Sequence, residues 1–486
     1  MLNRFVQQSI SVLFFVCVSL FVCQPQLFAD SPSTIRVNDK ASLLKAIARV
    51  KTGGQVIIEE GRYKEVNLKL TQKNIHIKAE KLGKVFFTGD SRIEIAGEKI
   101  HIEGLVFTGQ RTSTDSIVKI RGRENRFSRC AFIKCNPTKS KVRYHWVTID
   151  GYKNRLDHCL FEGMNHSGVY LVFGFNMYKP GFHLVDHNHF KDRIEGTGNG
   201  YETIRIGSSE FSHLEGKVII ENNLFENCDG EAEIISIKTS KNKIVNNTFL
   251  NSKGAVTTRQ CMGTEIIGNY FKGDGKKEKV GGIRIIGPDQ IVRENYFEGL
   301  TDRAVIMLEA GNLKFTLGKL YKEGANETTR NGTKAYVFPV SKKTPNLVYN
   351  YGQVVDAKIE NNLFILSPKQ YALAYNVAYG SKERLLRNEG VIVNQNIIVS
   401  KSKTSNLCID KTGNMKKTEV NKPSYKNNIV YNITVPTELS KHPGIKVQKP
   451  RFTRDEFGII RVISKIKVGP QQEPLKATDV GPYKSK

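Results

Sequence analysis

Glu231 and Glu233 stand two residues apart in the run Cys228-Asp-Gly-Glu-Ala-Glu-Ile-Ile-Ser-Ile-Lys238. On an extended strand that spacing puts both carboxylates on one face. Two adjacent like charges are unfavourable unless something cationic lies between them. All-oxygen ligation of this kind suits calcium rather than a softer metal. The competing reading is a pair of solvated carboxylates matched by nearby Lys and Arg side chains. Asn199 opens a second unusual run, Asn199-Gly-Tyr-Glu-Thr-Ile-Arg205-Ile-Gly207, and lies off the repeat described below, which makes it a further candidate oxygen ligand.

Cationic groups accompany these carboxylates. Arg205, Lys238, Arg259 and Arg284 follow their preceding repeat phenylalanines by 15, 13, 10 and 13 residues. Similar offsets in successive repeats place the four near one another on one sheet. Glu231 and Lys238 have opposite strand parity, so a bulge or bend between Glu233 and Ser236 is expected if both face one groove. Taken singly, each Lys or Arg is more often a surface charge. His166, His183, His187 and His189 cluster without distinctive metal-ligand spacing, and His187 and His189 flank a repeat asparagine, as turn or groove residues would.

The element that must position these groups is a repeat. A short motif ending in Phe recurs at Phe132, Phe161, Phe190, Phe225, Phe249, Phe271, Phe297 and Phe364, with Phe107 before it and weaker copies at Asn396-Ile-Ile and Asn427-Asn-Ile-Val. A period in the twenties, with short apolar strands and Gly/Asn turns, is what one coil of a parallel β-helix requires. One coil cannot bury its apolar face alone, but stacked coils form a continuous core. The phenylalanines then line the inside. The residue two before each Phe forms a second inward column, mostly Asn, predicting a ladder of amides bonded from coil to coil. Cys130 and Cys159 occupy that column in the upper coils and read as core residues. The expected fold is all-β, a single-stranded right-handed parallel β-helix. A short capping helix over about 41–50 is capped by Asn38 or Asp39, with Leu43, Leu44, Ile47 and Val50 on one face. An irregular tail is expected from about residue 435.

Residues 1–29 read as a signal peptide: Arg4, then an apolar run from Ile10 to Cys23, then Ala29 before Asp30. A faint lipoprotein box at Leu20–Cys23 is a minor alternative. The expectation is a secreted or periplasmic protein with one β-helix domain over 30–486 and no membrane span. The net charge is +27. A solvated surface accounts for it, but the sharper reading is a polyanion partner. Export argues against nucleic acid and for an anionic polysaccharide, met by a monomer. The six cysteines after residue 29 lack paired zinc spacing, and export permits disulfides without specifying any.

The runs at 199–207 and 228–236, with Lys238, Arg259, Gly281-Gly-Ile-Arg-Ile-Ile-Gly287 and Asp479-Val-Gly-Pro482, resemble polysaccharide lyase family 6, the family of alginate lyases and chondroitinase B. The resemblance covers most of the chain and is strongest over 195–300. It implies calcium held by Asn199, Glu231 and Glu233, Lys238 as general base, and Arg259 assisting the leaving oxygen. It further implies Arg205, Gln260 and Arg284 as substrate contacts and cleavage by β-elimination to a 4,5-unsaturated sugar. Three positions depart from the family pattern: Gln260 stands where His is usual, Cys261 where Gly is usual, and Ile237 where a small or polar residue is usual.

Rival readings remain at this level. A pectinase-like hydrolase would use Glu231 and Glu233 as its acid pair but leaves Lys238 and Arg259 without a role. A non-catalytic polysaccharide-binding β-helix explains the fold and charge but not the off-ladder residues. A dermatan sulfate (chondroitin B) lyase of the same family needs extra Arg in the groove. Alginate is favoured by analogy with the family.

Overall fold

The computed structural model describes residues 33–482, except 140–141, 175–179, 210–211, 213, 313–325, 331–332, 338–350, 382–383, 412–422 and 464–466. The expected signal peptide lies outside the described residues.

Three parallel sheets of 14, 12 and 14 strands run the length of the molecule, and each coil adds one strand to each. The expected parallel β-helix is therefore the fold. Strands are mostly three to five residues long and alternate inward apolar with outward polar side chains. In Ile204–Ile206, for example, both isoleucines are buried and Arg205 points out. Coils stack because each strand's backbone bonds to the next coil and the apolar faces fuse into one core running from Val37 to Ile445.

The phenylalanine column is in register coil by coil: Phe132 pairs with Phe161, Phe161 with Phe190, and so on through Phe297 and Phe364. Successive rings stack at 4.6–5.1 Å between centroids. The amide ladder runs through Asn188, Asn223, Asn247, Asn269, Asn295, Asn362, Asn396 and Asn428, all fully buried. Each Nδ2 donates to the next Oδ1 at 2.9–3.0 Å. The residue before a ladder Asn takes a left-handed turn, as at His187 (φ 54°) and Asn246 (φ 54°), which swings the amide inward. Cys130 and Cys159 sit in the core as expected, and no disulfide joins the six described cysteines.

The capping helix spans Lys40–Arg49, with Asp39 as N-cap in a capping box with Ser42. Leu43, Ala46 and Ile47 are buried, but Leu44 is 41 % exposed, so Leu44 does not belong to the buried face. It lies about 100° round the helix from Leu43, beyond the stripe that meets the coil beneath. The tail also departs from expectation. Ile445–Val447 adds a strand to one sheet, and an antiparallel hairpin joins Arg451–Arg454 to Ile460–Ile463. Buried Ile459 and Ile460 then pack on the outward residues Tyr270, Tyr296 and Leu363. The chain returns across that face: Tyr270 Oη donates to the Gln472 carbonyl at 2.7 Å, and the Gly481 N–H donates to the His187 carbonyl at 2.9 Å. Outward apolar groups on the middle coils are what make this segment dock instead of trailing.

Candidate active site

The site lies on the outer face of the 12-stranded sheet, where strands Ile204–Ile206, Glu233–Ile237, Gly254–Thr258, Val280–Ile285 and Ala304–Glu309 are neighbours. The four predicted cations share this sheet, in two columns. Arg205, Ser236, Thr257 and Arg284 align across successive strands. Lys238 and Arg259 stand two residues further on, just past the ends of adjacent strands. The expected bulge is present: pairing shifts between Glu233 and Ile235, and again between Gly254 and Val256 in the next coil. This shift lets Glu233 and Lys238 both approach Glu202.

Glu231 and Glu233 come together, and Glu202 joins them. Carboxylate oxygens of all three lie within 4.8 Å of one another. The backbone N–H groups of Gly200 and Tyr201 donate to Glu231 Oε2 at 2.9 and 3.4 Å. Asn199 is exposed on that same loop and lines the groove with Glu231 and Glu233. Burial, then the charges of Glu202 and Glu233, push the Glu231 carboxyl up to about 7. Glu202 Oε2 is buried without a hydrogen-bond partner among the described residues. Sequence reasoning passes over Glu202 because its parity matches Ile204 and Ile206, which point inward. It sits before the strand begins, where alternation no longer applies.

Lys238 Nζ lies 3.8 Å from Glu202 Oε1, on the carboxylate side of the solenoid wall. Burial lowers its pKa, and this outweighs the opposing pull of Glu202 and Glu233. Arg259 Nη1 donates to Glu233 Oε1 at 2.9 Å, and Arg284 Nη1 approaches the same oxygen at 3.3 Å. Burial raises the Glu233 pKa, but those two guanidiniums outweigh it and hold the carboxyl below its usual value. Arg284 also pairs with buried Glu309, whose other oxygen accepts from Arg384 at 2.7 Å. The Tyr351 ring lies under Arg384, 3.4 Å from the guanidinium carbon to the centroid, with Arg259 at 5.1 Å. Glu309, Tyr351 and Arg384 carry no signal in the repeat pattern.

Glu231, Glu233, Arg259, Arg284, Tyr351 and Arg384 line an open groove of about 1330 Å³ that also takes in Lys253, Lys279 and Arg303. Arg205 lines a smaller adjoining recess with Lys238. Gln260 is 5 % exposed, has a left-handed backbone (φ 67°), and is not among the described residues lining either recess. Cys261, beside it, is fully buried.

The comparisons with known proteins fit this architecture. Residues 37–311 match the family described as Chondroitinase B. No curated protein matches the chain. Among solved structures, the alginate lyase AlyGC of polysaccharide lyase family 6 is similar at 26 % identity with TM-score 0.77. That match covers 93 % of this chain, which spans only 59 % of the AlyGC chain. A mannuronic acid specific family 6 lyase from human gut microbiota matches at 24 % identity and TM-score 0.70, covering 86 % of this chain and 92 % of that one. Pedsa3628 from Pseudopedobacter saltans matches at 23 % identity and TM-score 0.68, covering 93 % and 99 %. With the family match spanning more than half of its length and the coiled fold shared throughout, this chain belongs to the chondroitinase B family, polysaccharide lyase family 6.

Proposed function

We propose that the protein is an exported lyase that cleaves an acidic uronate polymer, alginate foremost, by calcium-assisted β-elimination. The observation that carries this reading is the half-buried Lys238 amine, 3.8 Å from Glu202 of a three-glutamate cluster whose Glu233 also pairs with Arg259.

The donor set fits a hard cation. Three carboxylates converge, one of their oxygens is an orphan, and burial with mutual repulsion lifts Glu231. Glu202, Glu231 and Glu233 with Asn199 would hold calcium, which supplies positive charge against the substrate carboxylate as a Lewis acid. The C5 proton of a uronate becomes removable once charge building on that carboxylate is neutralised. Lys238 must be neutral to accept the proton, and its lowered pKa serves that need. Arg259 stays protonated, because Glu233 and Tyr351 outweigh its burial and raise its pKa. It therefore steadies the departing C4 oxygen by hydrogen bonding, or relays a proton to it through water. The C4–O bond breaks as the C5 electron pair forms the 4,5 double bond.

Alginate is supported by likeness to AlyGC. A second reading, dermatan sulfate, is favoured by one observation: Arg284, Arg303 and Arg384 all line the groove and could meet sulfate as well as carboxylate. The deciding experiment incubates the protein with alginate, dermatan sulfate or pectate, with and without a chelator, and records ultraviolet absorbance. An absorbance gain on alginate that chelation removes is the expected result. New reducing ends without absorbance would show a hydrolase, and binding without cleavage a non-catalytic module.

A further inference from the structure

One pair of groups next to this site has a hydrogen-bond balance that its neighbours do not close. The buried backbone N–H of Val169 donates to His145 Nδ1 at 3.1 Å. A buried main-chain donor needs that acceptor, so Nδ1 carries no hydrogen. Burial, then the charges of Arg205 and Arg143, lower the His145 pKa to about 3, so the ring is neutral. Its one hydrogen is then on Nε2. Yet Arg205 Nη2 stands 3.3 Å from that same Nε2. A guanidinium only donates, so neither group can satisfy the other. Among the described residues, two donors converge with no acceptor between them.

From this geometry we infer that His145 and Arg205 form an anion subsite that takes one carboxylate of the polymer. It lies on the N-terminal side of Lys238, whereas Arg259 and Arg284 lie on the C-terminal side. Arg205 and Lys238 share one recess, which makes the subsite continuous with the reacting centre. The sheet carries coils in register, so a chain of uronates lying along it meets donors on both sides of the scissile bond. His145 donates here without adding charge, which lets the subsite hold the polymer without a second fixed cation beside Arg205. The inference rests on the proposed function for the identity of the anion.

The first test is nitrogen NMR of the free protein with labelled histidine. A neutral Nε2–H ring for His145 is expected, and an Nδ1–H ring overturns the inference. The second adds an alginate tetrasaccharide to the Lys238→Ala variant. The His145 Nε2 resonance should move, and an unmoved resonance overturns the inference. In kinetics, His145→Ala should raise KM about tenfold, the loss of one hydrogen bond to a charged group, with kcat within about twofold. His145→Gln keeps an acceptor for Val169 and a donor for substrate, and should restore most of KM. Polyuronate turnover with KM unchanged in His145→Ala overturns the subsite and leaves the proposed function intact. A wild-type protein that makes no unsaturated ends overturns the proposed function, and the subsite is then decided by the ring tautomer and the binding shift alone.

Discussion

Lys238 Nζ and Glu202 Oε1 face each other at 3.8 Å, so the amine shares a carboxylate with the cluster that would hold a cation. Lys238→Ala should lower kcat by about 10²- to 10⁴-fold, the usual worth of a positioned base. Binding of an alginate oligomer, followed by calorimetry, should persist. Full activity in this variant would place the base elsewhere.

Glu202→Gln keeps the side-chain volume and removes one ligand charge. Calcium affinity should fall by roughly tenfold, because ligand charge count tunes such sites. Calcium titration by calorimetry reads this directly, and unchanged affinity would remove Glu202 from the ligand set.

Cation-free protein should lose stability as pH rises toward neutrality. The folded pKa of Glu231, about 7, lies above its ordinary value of 4.5, for reasons of burial and then Glu202 and Glu233. The folded state therefore binds more protons than the unfolded state between those two values. The stabilising contribution is whole below pH 4.5 and is lost as pH climbs through about 7. Thermal unfolding with chelator should show this decline, and saturating calcium should abolish it.

Acid should act oppositely on the outer face of the neighbouring sheet. Burial raises the Asp157 pKa, but hydrogen bonds from Arg126 and His158 outweigh it and hold the carboxyl well below its usual range. That contribution is present above the ordinary carboxylate pKa and lost as pH falls through the folded value. Asp157→Asn should flatten the acid limb of a stability-against-pH curve.

Asn247→Ala should destabilise the stack. Asn247 Oδ1 accepts from the Asn223 N–H at 3.0 Å, and its Nδ2 donates to the Ile220 carbonyl at 2.9 Å. Leaving either buried partner unmatched costs about 1–3 kcal/mol. Denaturant unfolding would register the loss, and an unchanged midpoint would show that the ladder is not stabilising there.

What the sequence made legible follows from how a solenoid is built. Phe225, Phe249 and Phe271 are readable because each coil must supply one residue of the same kind to the same inward column. The shift near Ile235 is readable because Glu231 and Lys238 disagree in parity. Glu202 is hidden because alternation fails outside a strand. Tyr351 and Arg384 are hidden for another reason. They come from the stretch after Glu309, where the period is interrupted and only three-dimensional return brings them to Arg259 and Arg284. Leu44 and the tail misled for a related reason: their burial depends on which surface they dock against, and spacing carries no record of that surface.

The returning tail has a consequence for biogenesis. Tyr270 and Gln472, bonded in the finished protein, are 202 positions apart in the chain. Coils can zip onto one another in the order they are synthesised, each templated by the last. The seal over Tyr270, Tyr296 and Leu363 must wait for the final segment to arrive. A polypeptide cut short near residue 440 would therefore resemble a finished solenoid by its circular dichroism, yet bare a sticky flank to any protease or sister chain it met.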